Sequence, residues 1–401
     1  MAATAWWREP TRDQWTAFGA AWAGWVLDAF DFTIFLLVMP SIAQEFGVTY
    51  SSTALSVTLT LLMRLLGGLV AGSLADRFGR RLPLMLSIVW FALCDGAVAL
   101  APSFTWVVVL RTLFGFGMGA EWTAGATLAM ESWPARTRGL ASGVLQGSWA
   151  IGYLVAGYVA AWVVPLYGWR PLFALAALPA LLVIPIRAFV KDPPRTTPSR
   201  PAVPLATLLG SARLRLRIGW AAAVLALGFA GYYGLTALYP TLLQTRLGLD
   251  AHGVANLVAW FNLGMMAGGI ASGALASRRS AALAIGLFAF LTVPALPLYL
   301  GMVPLGLGLG AFLAGLTGAG HSGVTPYLLH SLFPEEVRAR CTGLAYHLGA
   351  FAAAFVPFGV AALSQRIPME NAILWMVAIS ELLLVALLLS TRRWMKAAAI
   401  A

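Results

Sequence analysis

Apolar residues run in long unbroken stretches along almost the whole chain, separated by short polar turns. Twelve stretches can be laid out, at about 17–41, 53–75, 82–101, 103–130, 138–164, 169–190, 217–243, 252–276, 281–300, 302–331, 340–364 and 370–391. Most are near the roughly 20 residues that an α-helix needs to cross about 30 Å of hydrocarbon. The short alternating segments of a membrane β-barrel are not the pattern here. Lipid offers the backbone no hydrogen-bond partners, so the predicted spans are helices. One polar stretch, 191–216, interrupts the pattern near the middle and holds Pro193, Pro194, Pro198, Pro201 and Pro204. Such a cluster of breakers reads as a linker. It divides the chain into an N-terminal six-helix half (1–190) and a C-terminal six-helix half (217–401).

Composition strengthens this picture. Hydrophobic residues make up 60% of the 401 and charged residues only 10%, against roughly 45–50% and about 25% in soluble domains. Too few polar groups are present to cover a water-facing surface, so the chain is predicted to be an all-α integral membrane protein. The net charge of +11 would raise nucleic acid as a partner for a soluble protein. Here the basic residues sit in short loops, and no nucleic-acid partner is expected. Of the 26 lysines and arginines, Arg64 and Arg111 fall within spans. With a cytoplasmic N-terminus, Arg170, Arg246 and Arg366 alone face outward, and all the others face the cytoplasm. That asymmetry predicts a multi-pass protein of the cell membrane with both termini cytoplasmic. Cys94 and Cys341 lie in apolar context and read as buried small hydrophobes rather than a disulfide framework. The first fifteen residues show no cleavable signal pattern, so the first span is expected to direct insertion.

The chain also repeats itself. Gly72, Leu74 and Arg77 match Gly273, Leu275 and Arg278 at an offset of 201, and Pro134, Arg138 and Gly143 match Pro334, Arg338 and Gly343 at an offset of 200. Two loops recurring at one spacing predict two six-helix halves of parallel orientation. Transporters built from such repeats hold their substrate near the membrane midplane, between the halves.

The run 72–81 (GSLADRFGRR) resembles the loop signature of the major facilitator superfamily, and 111–117 (RTLFGFG) resembles that superfamily's second signature. DAFDF at 28–32, LTLLMR at 59–64, GMGAEW at 117–122, ESWP at 131–134, YGWR at 167–170, LYPT at 238–241 and TGLAYHL at 342–348 are similar to the sialate:proton symporter family. That family includes sialic-acid permeases and lactate/pyruvate permeases. The resemblance implies twelve transmembrane helices in two pseudo-symmetric six-helix halves, the major facilitator fold. It supports Arg64, since both branches carry an arginine at this place, and it implies a part in proton coupling for Arg111. In the monocarboxylate branch a His and a Gln-Asp pair precede the LYPT run; the matching positions here are Tyr233, Thr236 and Ala237.

A charge in hydrocarbon costs from about 2.5 kcal/mol upward, so each intramembrane ionisable residue needs a partner, a wet cavity or a task. Asp28 and Asp31 are three apart and share a helix face. Arg64 is predicted at similar depth, about 18 Å up its helix from the cytoplasmic turn. These three form either a buried structural ion pair or an anion site, in which Arg64 grips a carboxylate with its planar fork. Asp95 can brace Arg111. Glu121 and His321 differ by 200 in number, so the repeat places them on opposite walls of a central cavity, and both side chains suit a proton carrier. Expected substrate contacts are therefore Arg64, Asp31, Tyr233 and Tyr346. Expected proton-coupling groups are Asp28, Asp31, Glu121, His321 and Arg111. Glu381, on a helix expected at the periphery, reads as a structural acid, as does His347 as a structural histidine. Tyr232, Trp122 and Trp149 are further candidates for the cavity wall. Gly72, Asp76, Arg77, Gly79 and Arg80 are expected to act as a conformational latch; the second copy has Ser277 in place of the aspartate.

The sequence shows no metal-ligand cluster, nucleophile constellation or phosphate loop, so neither an enzyme nor a cofactor is expected. The expectation is a monomeric proton-coupled symporter of a small organic anion, such as lactate or pyruvate, working by alternating access. A sialic-acid or other carboxylate symporter and a proton-driven exporter of amphiphilic compounds are the alternatives.

Overall fold

The computed structural model describes residues 9–78, 81–134, 138–178, 181, 183–189, 210–303, 306–334 and 337–391. Among them there is no β-strand. The first half comprises α1 (Arg12–Phe46), α2 (Tyr50–Phe78), α3 (Arg81–Val98), α4 (Phe104–Ser132), α5 (Arg138–Tyr167), α6 (Arg170–Leu175) and α7 (Val183–Phe189). The second comprises α8 (Ala212–Thr236), α9 (Tyr239–Thr245), α10 (Ala251–Arg278), α11 (Ala281–Tyr299) and α12 (Leu307–Ala314). A π turn (Gly315–Ala319) and a 3-10 turn (Gly320–Val324) follow, then α13 (Thr325–Leu332), α14 (Arg338–Ala353), α15 (Val356–Leu363) and α16 (Met369–Ser390). Nine candidate spans among the described residues are long and apolar enough to cross a membrane. The helical stretches at 104–132 and 307–332, and the short helices α6 and α7, occupy the other three of the twelve expected places.

Local chemistry sets the ends of these helices. Thr11 caps α1 and exchanges hydrogen bonds with Gln14, so orphan backbone donors at the helix start are satisfied. Gly47, at φ 63°, ends α1 in the left-handed region that glycine adopts at least cost. Ser103, Asp250 and Ser280 cap α4, α10 and α11 through their side-chain oxygens. The radial distribution is that of a membrane protein. Leu93, Trp162, Leu166, Ile184, Phe290 and Ile379 are exposed, whereas Asp28, Asp31, Asp95, Arg111, Glu121 and Glu381 are buried. Lipid rewards the first set and penalises the second unless helices enclose it.

The two halves meet in a way that follows the repeat. α5 packs against α10, and α14 and α15 pack against α2. The sequence offsets carry α2 onto α10 and α5 onto α14–α15, so each contact is the exchanged copy of the other. The interface thus has the pseudo-two-fold relation that the duplicated loops predicted.

Within each half, glycines set the closest approach. A Cβ on Gly67 would lie 1.8 Å from Phe116 O, and one on Gly115 2.0 Å from Thr60 O. In the second half a Cβ on Gly268 would lie 2.0 Å from Leu316 O, and one on Gly315 1.9 Å from Phe261 O. Two pairs of helices therefore touch backbone to backbone at corresponding places, which only residues without a side chain permit.

Candidate functional site

The packing of α2 on α4 positions Arg64. A Cβ on Gly119 would lie 2.0 Å from Arg64 O, so the arginine's backbone rests directly on α4. Its side chain reaches a cavity between the halves and is only 3% exposed. Nη2 lies 3.5 Å from the Tyr346 hydroxyl, and the guanidinium carbon is 5.6 Å from the centre of that ring. Among the described residues, no carboxylate lies within ion-pair distance of Arg64. Asp28 and Glu121 act on it electrostatically from farther away.

Arg111 is held differently. Its Nη1 is 2.8 Å from Asp95 Oδ1, and both side chains are buried. The guanidinium lies over Phe114 at 4.0 Å and near Phe35 at 4.9 Å. Nη1 also reaches the Asp31 backbone oxygen at 3.4 Å. The brace with Asp95 that the sequence offered is thus formed.

Aromatic side chains dominate the cavity wall: Trp25, Trp149, Phe229, Tyr232, Tyr233 and Tyr346. Phe229 stacks on Tyr233 at 5.8 Å and stands edge-on to Tyr346 at 5.1 Å. Polar links cross between the halves here. Gln146 Nε2 donates to Ser322 O at 3.3 Å, and Trp149 Nε1 donates to the Tyr232 hydroxyl. His321, presented by the 3-10 turn, lines the same cavity.

The structure brings six expected residues to this wall: Arg64, Trp149, Tyr232, Tyr233, His321 and Tyr346. Asp28, Asp31 and Glu121 are not on it. They are fully buried, and among the described residues none of their carboxyl oxygens has a hydrogen-bond partner. Glu121 sits against α1, where a Cβ on Gly24 would come 2.7 Å from its Oε1. His321 has the related relation to α8, with a Cβ on Gly228 3.2 Å from its Cε1. Glu381 is fully buried and its Oε1 lies 3.6 Å from His321 Nε2, a nearness that its place in the last helix did not suggest. His347 lies instead against Gly68 of α2. The surroundings of Gly72, the side chains of Asp76, Arg77, Trp122 and Ser277, and the whole of Gly79 and Arg80 fall outside the described residues.

Sequence reasoning did not single out Trp25, Gln146 or Phe229. Phe229 had a signal, since it precedes Tyr233 by one helical turn. Gln146 had another, as a polar side chain within an apolar stretch.

The first-half acids outnumber their counter-charges. Asp28, Asp31, Asp95 and Glu121 are buried with two guanidiniums, Arg64 and Arg111. Electrostatic contacts run from Glu121 to Asp28 and on to Asp31, Asp95 and Arg111. By formal charge this set is neutral only with two protons on it.

A family model described as "Major Facilitator Superfamily" matches residues 21–357. A probable 4-methylmuconolactone transporter of Cupriavidus pinatubonensis (strain JMP 134 / LMG 1197) is 32% identical over 383 residues, covering 92% of this chain and 88% of that one. The sialic acid transporter NanX of Escherichia coli (strain K12) is 28% identical over 356 residues, covering 87% of each. Among solved structures, a bacterial homologue of the human lysosomal transporter Spinster, inward-facing and unoccupied, aligns with a TM-score of 0.65 at 17% identity. That alignment covers 97% of each chain and speaks to the fold alone.

Proposed function

The chain belongs to the Major Facilitator Superfamily, and from that premise we propose that it is a proton-coupled symporter that carries a small organic carboxylate by alternating access. The carrying observation is Arg64, a buried guanidinium on the cavity wall with no carboxylate in ion-pair distance among the described residues. A buried charge without a close partner is costly, and a substrate carboxylate supplies that partner through a charge-assisted, two-point contact. An exporter of amphiphilic compounds has no need of such a group. Relatives named for muconolactone and sialic acid support an organic acid as cargo. The six aromatic side chains of the wall favour a flat, ring-bearing or unsaturated acid over lactate or pyruvate, because such a body recovers stacking and apolar burial. Surplus buried carboxyls, with His321 opposite, supply the titratable groups that coupling requires.

The reading places Asp28, Asp31, Glu121 and Arg111 in proton handling. It takes 72–80 as the cytoplasmic latch, and 1–190 and 217–401 as the rocking halves joined by 191–216. The carrier works as a monomer with both termini cytoplasmic.

The test is uptake into proteoliposomes of labelled benzoate, nicotinate, sialate, lactate and pyruvate under an inward proton gradient. Accumulation of at least one acid is expected. Truncating one partner of a buried charge pair costs about 2–5 kcal/mol, so in Arg64→Ala the apparent affinity for that acid falls roughly 30-fold or more. Unchanged uptake of every acid by this variant removes the anion site.

A further inference from the structure

Glu381 stands in the middle of the last helix and yet is fully enclosed. Its Oε1 lies 3.6 Å from His321 Nε2, which is ion-pair distance but too long for a hydrogen bond. Among the described residues, neither carboxyl oxygen of Glu381 and not the Nε2 of His321 has a hydrogen-bond partner. α8 makes room for both side chains. A Cβ on Gly231 would lie 2.2 Å from Glu381 Oε1, and one on Gly228 3.2 Å from His321 Cε1. Three residues apart on one helix face, the two glycines form a cradle that any side chain would fill. His321 is open to the cavity, while Glu381 sits behind it.

The surroundings leave these two groups to each other. α8 brings Tyr232 and Tyr233, α14 brings Tyr346 and α5 brings Gln146 and Trp149, while α10 and α11 bring only Met265 and Ile285 to this cavity. Among the described residues, the one permanently charged side chain on the wall is Arg64, and it comes from the other half.

An imidazole and a carboxyl in this position are formally neutral when one proton is shared between them, whichever atom holds it. A second proton makes the pair a net cation enclosed by apolar helices, which is costly unless an anion joins it. We propose that His321 and Glu381 form a proton-sharing dyad of the C-terminal half, which takes up its second proton from the aqueous cavity only together with the anionic substrate. The proton adds one positive charge and the carboxylate one negative charge, so the loaded cavity is neutral relative to the empty one. Glu381 does not touch the substrate; it acts through His321. This inference rests on the symport reading above and adds to the acids of the first half a proton-carrying group in the second.

The test uses the full chain in proteoliposomes, with labelled benzoate and nicotinate as probes. Gradient-driven accumulation by the wild-type chain tests the symport reading, and its absence for both probes overturns that reading together with the dyad. The dyad is tested by the ratio of gradient-driven uptake to acid-for-acid exchange, since exchange needs no net proton movement. In Glu381→Gln the ratio falls about tenfold or more. Gly231→Ala removes no titratable group but displaces the Glu381 carboxyl, and it lowers the ratio in the same direction. A wild-type ratio and pH profile in either folded variant, with the wild type still accumulating a probe, overturns the dyad and leaves the symport reading standing. If neither variant reaches the membrane, the wild-type chain decides the matter. Carbethoxylation of His321, followed by peptide mass spectrometry across pH, must shift its half-labelling pH when the accumulated acid is added, because proton and anion binding are linked. No shift overturns the dyad.

Discussion

Arg64 and Arg111 are both buried in the first half, and the difference between them lies in what each touches. Arg111 is paired within the protein, 2.8 Å from Asp95 and packed against Phe114 and Phe35. Arg64 faces the cavity among tyrosines. Removing one member of a buried ion pair strands the other and costs about 3–5 kcal/mol, whereas replacing both by apolar residues is often neutral. Asp95→Leu should therefore destabilise the protein by about that much, and Asp95→Leu with Arg111→Leu should recover more than half of the loss. Thermal unfolding in detergent reads both variants. If the double variant is as unstable as the single, Arg111 has another task in addition to the brace. Sequence position alone left each arginine with a structural and a functional reading, ion pair or anion site for Arg64 and brace or proton coupling for Arg111, because it gives depth in the membrane but not the direction of a side chain. Asp95 was visible as a possible partner for Arg111, sixteen residues earlier in the chain. No spacing rule could link His321 to Glu381, which meet only because two distant helices pack on α8.

At the scale of elements, glycine placement sets how close the helices come and, through that, where Arg64 stands. On Gly119 a Cβ would meet Arg64 O at 2.0 Å, and on Gly67 it would meet Phe116 O at 1.8 Å. Both obstacles are backbone, so no rotamer change relieves them and the helices must part. Overpacking of this kind costs about 1–3 kcal/mol. Gly119→Ala should lower the unfolding temperature and also weaken carboxylate uptake, because it displaces the Arg64 backbone. Gly143→Ala, whose Cβ would meet nothing within 4 Å, is the control and should do neither. Equal behaviour of the two variants would show that the close α2–α4 contact does not position the arginine. The tenth stretch shows what periodicity concealed. The sequence read 302–331 as one span, but the structure breaks it into a π turn and a 3-10 turn just where His321 stands. Irregular turns of this kind inside a helix are frequent at functional sites. Four glycines at 315, 318, 320 and 323 carried the signal. The corresponding stretch of α4, with Glu121, remains a regular helix, so the repeat predicted the position of His321 but not the local backbone that presents it.

For the whole molecule, the repeat was the most informative feature of the sequence, because duplicated loops imply exchanged contacts, and α5–α10 and α2–α14/α15 are such an exchanged pair. Side-chain links between the halves then mark places that rocking must break. Near the α1–α2 turn, Gln365 Nε2 donates to Ser51 Oγ at 2.7 Å, and Gln244 Nε2 donates to Leu37 O at 3.2 Å. Deeper in, the Gln146–Ser322 link sits at the wall of the cavity that holds Arg64. In the proposed topology the first two contacts lie at the outer end, so the halves are tied there while the cavity extends past Trp25, Val224 and Ile285 toward the inner end. Alternating access requires that outer contact to open in every cycle. Cysteines at 51 and 365 joined by a short bifunctional thiol reagent should therefore abolish uptake, and reductive cleavage of the linker should restore it. The native Cys94 and Cys341 are buried and offer the reagent little access. Each single-cysteine variant, treated in the same way, should keep transporting. A cross-linked double variant that still accumulated substrate at the uncross-linked rate would mean that this end of the molecule stays closed throughout. The halves could not then be rocking about the midplane, and the Arg64 cavity would have to fill and empty by another route.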